Sequence, residues 1–163
     1  MSEIQRRGGS TILTTFVVAL ALVALPLPDW ARWMRPEWAT LVLIYWCLAL
    51  PGRVNVGVGW MVGLFVDVIT GNLLGQHALA LSIVAFVTVK VHKQVRVYPL
   101  WQQALSVFVL VALGQLLVVW VKGIIGQAPE DWLYWVPSLT SALLWPWVYI
   151  VLRDARRKFR VAG

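Results

Sequence analysis

Apolar residues in this chain gather into six runs, Ile12 to Leu27, Trp38 to Leu50, Val54 to Ile69, Ala78 to Val89, Ala104 to Val121 and Trp132 to Leu152. Proline, glycine or charge separates each run from the next, and the runs read as helices. The pattern predicts one transmembrane domain over residues 1–163, an all-α bundle of about six membrane-spanning helices. At 1.5 Å per residue the runs starting at Trp38 and Ala78 reach only about 20 Å, short of a hydrocarbon core of roughly 30 Å. Their polar ends are therefore expected to extend those helices. The first run follows Arg6 and Arg7 and has the charged start of a signal peptide, but it closes on Pro26-Leu27-Pro28-Asp29 with no small-residue cleavage site. It is expected to be a retained helix.

Charge in the breaks sets the expected orientation. Arg6, Arg7, Arg53, Lys90, Lys93, Arg96, Arg153, Arg156, Arg157, Lys158 and Arg160 fall on one side, against Arg32, Arg35 and Lys122 on the other. Positive residues mark the cytoplasmic face, so six spans with both termini inside a bacterial inner membrane are expected. Arg53, Lys90, Lys93 and Arg96 and the basic tail from Arg153 to Arg160 would enforce topology and touch anionic lipid. The outer loops, Pro28 to Glu37 and Glu130 to Trp135, are rich in tryptophan and acid, as interfacial segments are. None of these loops has room for a soluble domain.

Composition agrees: 60% of the 163 residues are hydrophobic and 13% charged, too few charges to cover a soluble surface. The net charge of +7 would suggest nucleic acid in a soluble protein, but here the cations sit between apolar runs, and no nucleic-acid partner is expected. The single cysteine, Cys47, lies inside an apolar run and excludes an internal disulfide.

Few residues offer chemistry. Asp67 is the one acid inside an apolar run, and a carboxylate in hydrocarbon is a functional candidate by default; its place near Thr70-Gly71-Asn72 makes helix packing the preferred reading over ion or substrate handling. Gly57, Gly59 and Gly63 share the third run, and the spacing of the last two lets helix backbones approach closely, within this chain or with a partner. Gln115 lies midway along the fifth run, where an amide seeks an interhelical hydrogen bond. Trp145-Pro146-Trp147 interrupts the sixth run, and the proline is expected to kink it. Neither His77 nor His92 has a second ligand at helical spacing, and no catalytic constellation stands out, so no metal, cofactor or enzymatic activity is expected.

Several stretches together resemble one family. Arg35-Pro36-Glu37-Trp38, Leu50-Pro51-Gly52-Arg53, Gly63-Leu64-Phe65-Val66-Asp67, Gly75-Gln76-His77-Ala78 and Leu144-Trp145-Pro146-Trp147, in this order and followed by a basic tail, are similar to the proteobacterial branch of the rod shape-determining MreD proteins. The resemblance implies a component of the elongation (Rod) complex of rod-shaped bacteria. Its implied partners are MreC first, then MreB, RodA, RodZ and the elongation transpeptidase, and its implied role is scaffolding or regulation of lateral peptidoglycan synthesis. It also implies a fold like the six-helix substrate-binding subunits of energy-coupling-factor transporters, a likeness that carries no function.

Three readings compete. The first is a scaffold presenting a groove to the transmembrane helix of MreC, with Gly57, Gly59, Gly63, Asp67, Gln115, Trp145, Pro146 and Trp147 as packing or partner-binding candidates. The second is a transporter subunit or lipid-binding bundle in which Asp67, Asn72, His77 and Gln115 converge on an outward pocket. The third, an enzyme acting on lipid-linked wall precursors, ranks last because only Asp67 qualifies. Each run interior carries at most about one polar group, and this sparseness favours the first.

Overall fold

A computed structural model describes residues 3–26, 28, 36–52, 54–71, 74–126 and 132–158; of residues 3–10, 132 and 133 only the backbone is described. The described residues form α1 (Glu3–Ala24), α2 (Trp38–Ala49), α3 (Val56–Thr70), α4 (Gln76–Val95), α5 (Leu100–Ile124) and α6 (Val136–Lys158), with a 3-10 turn at Trp132–Trp135 before α6 and no strand. The elements follow the apolar runs but overshoot most of them. Backbone hydrogen bonding does not stop where hydropathy drops, so α4 continues through Lys90, His92 and Lys93 to 20 residues and α6 runs on to Lys158. α4 and α5 are long and apolar enough to cross a membrane, and α2, α3 and residues 11–24 of α1 are shorter apolar helices.

Local chemistry sets the ends. Asn55 caps α3 by accepting the Gly57 N–H at 3.2 Å, and Gly71 closes the helix in the left-handed region at φ 71°. Gly75, at φ 101°, opens α4 without any side chain to cap it. Pro99 starts α5, and its carbonyl accepts from the Gln102 and Gln103 amides.

α2 is the centre of the molecule. Its 12 residues reach about 18 Å at 1.5 Å per residue, too short to span alone. Eleven of them are buried, packed chiefly by α1, α4 and α6. A helix apolar on every side has no solvent or lipid face to offer. Trp46, fully buried, donates through Nε1 to Thr15 Oγ1 at 2.9 Å and ties α2 to α1. Tyr45 stacks edge-on against Trp46 and Tyr149, with ring centroids 5.1 and 5.8 Å away.

The outer surface is apolar instead of charged. Phe65 and Val68 on α3, Val109, Leu116 and Trp120 on α5, and Leu143 and Trp147 on α6 all point outward. Such a surface suits lipid and not water. Together with two helices long and apolar enough to cross a membrane, it is the surface that a helical membrane protein presents.

Candidate functional site

The most extensive helix pairing is α3 with α4. Gly59, Gly63 and Asp67 recur every four residues and so form one stripe of α3. A Cβ on Gly59 would lie 2.7 Å from the Leu81 carbonyl oxygen, and one on Gly63 would collide with the backbones of His77 and Ala78. The two glycines are consumed by α4. Gly57 lies off this stripe, exposed, with open space beside it apart from Asn55 Oδ1.

Asp67, 1% exposed, finishes the stripe. Its Oδ2 accepts the backbone N–H groups of Gly75 at 2.9 Å, His77 at 3.0 Å and Ala78 at 3.4 Å. Its Oδ1 lies 2.8 Å from His77 Nδ1 and 3.0 Å from the His77 amide. Gly75 cannot cap α4, so a carboxylate from the previous helix does so in its place, aligned with the positive end of the helix dipole. The partner that the sequence left unnamed is His77 together with the α4 amino terminus.

The other candidates separate. Gln115 is 5% exposed; its Nε2 donates to the Tyr134 carbonyl at 2.9 Å, and Tyr134 Oη donates back to the Gln115 carbonyl at 3.2 Å, joining α5 to the turn before α6. Gln115 Oε1 is buried without a hydrogen-bond partner among the described residues. Trp145 is fully buried and donates to Gln103 Oε1 at 3.2 Å, whereas Trp147 is 60% exposed on the outer surface. α6 continues as a helix through Pro146.

The basic residues gather at the opposite end. Arg96 turns inward: its Nε donates to the Leu48 carbonyl at 2.9 Å and an Nη to the Ala49 carbonyl at 3.1 Å, so it caps the carboxyl end of α2. Arg153 lies 5.8 Å from the Tyr149 ring centroid, and Lys90 lies 5.3 Å from that of Phe86. Lys93, Arg156, Arg157 and Lys158 occupy the last turns of α4 and α6. Arg53, Asn72, Arg160, most of the Pro28 to Glu37 loop, and Glu130 and Asp131 of the last outer loop lie outside the described residues.

At the end remote from that basic cluster, the helices border a partly open chamber of about 220 Å³. Glu37, Thr40, Thr70, His77, Lys122 and Tyr134 line it with apolar Val23, Val66, Leu81 and Val118. A second pocket of about 20 Å³ shares Glu37, Thr40, His77 and Tyr134 as walls and reaches Gln115. Polar groups thus converge although each run holds few: helix ends from distant parts of the sequence meet here. Of the four residues placed together in the transporter reading, His77 and Gln115 share a pocket, Asp67 holds His77 from behind, and Asn72 is not described. Glu37, Thr40, Lys122 and Tyr134 were not singled out from sequence. Glu37 and Lys122 gave a faint signal, as charges on the sparsely basic side next to apolar runs.

Comparison with known proteins gives two concordant matches. The family model of the rod shape-determining protein MreD matches residues 6–155. The chain is 38% identical over 151 residues to the rod shape-determining protein MreD of Haemophilus influenzae, an alignment covering 93% of each. No solved structure matches. A match across nearly the whole length means that the chain belongs to the MreD family of rod shape-determining proteins.

Proposed function

We propose that the chain is a non-catalytic scaffold or regulator of the elongation complex. In this reading it sits in the inner membrane as six spans with both termini cytoplasmic, binds MreC as its primary partner, and supports lateral peptidoglycan synthesis. MreB, RodA, RodZ and the elongation transpeptidase belong to the same assembly, and the basic ends of α4 and α6 rest on anionic lipid. The observation that carries this reading is how Asp67 is used. The acid most suited to chemistry has both oxygens occupied by backbone donors and His77, which makes it an architectural group. Meanwhile α3, α5 and α6 keep long apolar faces turned outward, the surface on which a transmembrane helix packs.

Affinity purification of the tagged protein from gently solubilised membranes tests the proposal. Recovery of MreC together with wall-synthesis proteins is the expected result. An ATPase module recovered without MreC would replace it with a transporter reading.

A further inference from the structure

Three neutral hydrogen-bonding groups around the chamber are left idle by the helix packing. His77 is oriented by Asp67, whose two oxygens already accept backbone N–H groups; the carboxylate therefore accepts at 2.8 Å from the ring as well, and the ring carries its proton on Nδ1. Nε2 of the neutral ring, on the edge away from Asp67, is then an acceptor with no partner among the described residues. Thr40, 5% exposed, has a hydroxyl that makes no hydrogen bond among them either. Gln115 is fixed through Nε2 on the Tyr134 carbonyl, and its Oε1 is buried and unpartnered. Thr40 and His77 line both pockets and Gln115 lines the narrower one, so two acceptors and a hydroxyl from three helices border one space. Buried polar groups are normally paired, and this set calls for a guest that both donates and accepts.

We infer that the chamber binds a vicinal diol, with one hydroxyl between Gln115 and Thr40 and its neighbour on His77. The first hydroxyl donates to Gln115 Oε1 and accepts from Thr40; the second donates to His77 Nε2. An ammonium accepts nothing and would leave the Thr40 hydrogen unplaced, whereas a carboxylate or phosphate oxygen donates nothing and would face two acceptors. The selection follows from the donors and acceptors of these three groups and not from the net charge around the chamber. The narrower pocket, about 20 Å³, admits one hydroxyl-sized group. The chamber, about 220 Å³, has room for about seven water volumes, enough for the few heavy atoms of a glycerol unit, and Val66, Leu81 and Val118 cover its carbons. The same chemistry belongs to the glycerol headgroup of a phospholipid and to a soluble polyol. The site does not depend on the scaffold reading.

Native mass spectrometry of the detergent-purified full chain tests this, using phosphatidylglycerol, phosphatidylpropanol with identical acyl chains, and soluble glycerol. The two lipids carry the same charge and differ only in the headgroup hydroxyls, so phosphatidylglycerol is expected to bind about tenfold more tightly, the worth of a buried hydrogen bond. Thr40→Val keeps the shape of the side chain and removes its hydroxyl; it is expected to abolish most of that preference, and Thr40→Ser to retain it. Gln115→Met, on another helix, is expected to act like Thr40→Val. A preference for phosphatidylglycerol, with or without displacement by glycerol, assigns the lipid headgroup; saturable binding of glycerol while the two lipids bind alike assigns a soluble polyol. Equal binding of the two lipids with no glycerol binding, a preference that Thr40→Val and Gln115→Met both leave intact, or no binding at all overturns the proposal and leaves a water-filled chamber.

Discussion

Replacing Asp67 by alanine removes the acceptor on which the start of α4 depends. Three backbone N–H groups, those of Gly75, His77 and Ala78, and the His77 ring lose their partner together. Hydrogen bonds to a charged acceptor contribute about 1.5–3 kcal/mol each and an N-cap about 0.5–2 kcal/mol, but these bonds are shared by two oxygens and water can reach the helix end. The net loss is therefore about 3 kcal/mol, more than a hundredfold in the folding equilibrium. Asp67→Asn keeps one carbonyl oxygen but turns the other acceptor into a donor and loses the charge, so about half that loss is expected. Unfolding in mixed micelles gives the free energies, and hydrogen exchange at the Gly75, His77 and Ala78 amides localises the effect. If the alanine variant unfolds at the wild-type denaturant concentration with those amides equally protected, the cross-helix cap is not what holds the hairpin.

Other substitutions divide the candidates by environment. Gly63→Leu drives a side chain into the His77 and Ala78 backbones and is expected to cost about 3 kcal/mol or more, whereas Gly57→Ala meets open space and is expected to be neutral or stabilising by up to about 1 kcal/mol, both read by the same unfolding assay. Trp145→Ala empties a fully buried site and loses the bond to Gln103, with a cost of about 3–5 kcal/mol; Trp147→Ala on the outer face should change stability by less than about 0.5 kcal/mol. Arg96→Met leaves the Leu48 and Ala49 carbonyls without their donor and is expected to destabilise by about 1–3 kcal/mol. Lysine at 96 should not restore the loss, because a point ammonium cannot reproduce the two-pronged guanidinium, and a fully stable lysine variant would refute the capping role.

Apolar periodicity and charge bias determined, without any structure, how many helices form and roughly where, because each helix needs only its own backbone bonds and an apolar surround. The family could also be read from residues: Arg-Pro-Glu-Trp, Leu-Pro-Gly-Arg, Gly-Leu-Phe-Val-Asp and Leu-Trp-Pro-Trp follow one another along the chain, and short stretches in a fixed order are a property of sequence alone. What each candidate touches was decided by tertiary structure. Gly59 and Gly63 were open to a partner or to this chain until α4 filled the space beside them. Trp145 and Trp147 stand two positions apart on one helix, so roughly 200° of rotation puts one in the core and the other on the surface. Arg96 had the composition of a topology charge, yet it spends its guanidinium on the end of α2, some 47 residues away in sequence. The chamber was the least legible feature, since Glu37, Lys122, Tyr134 and Gln115 belong to different elements and no local pattern links them. Hydrophobic periodicity is a property of neighbours along the chain; convergence of polar groups is a property of neighbours in space, and only packing the helices around α2 brings those groups together.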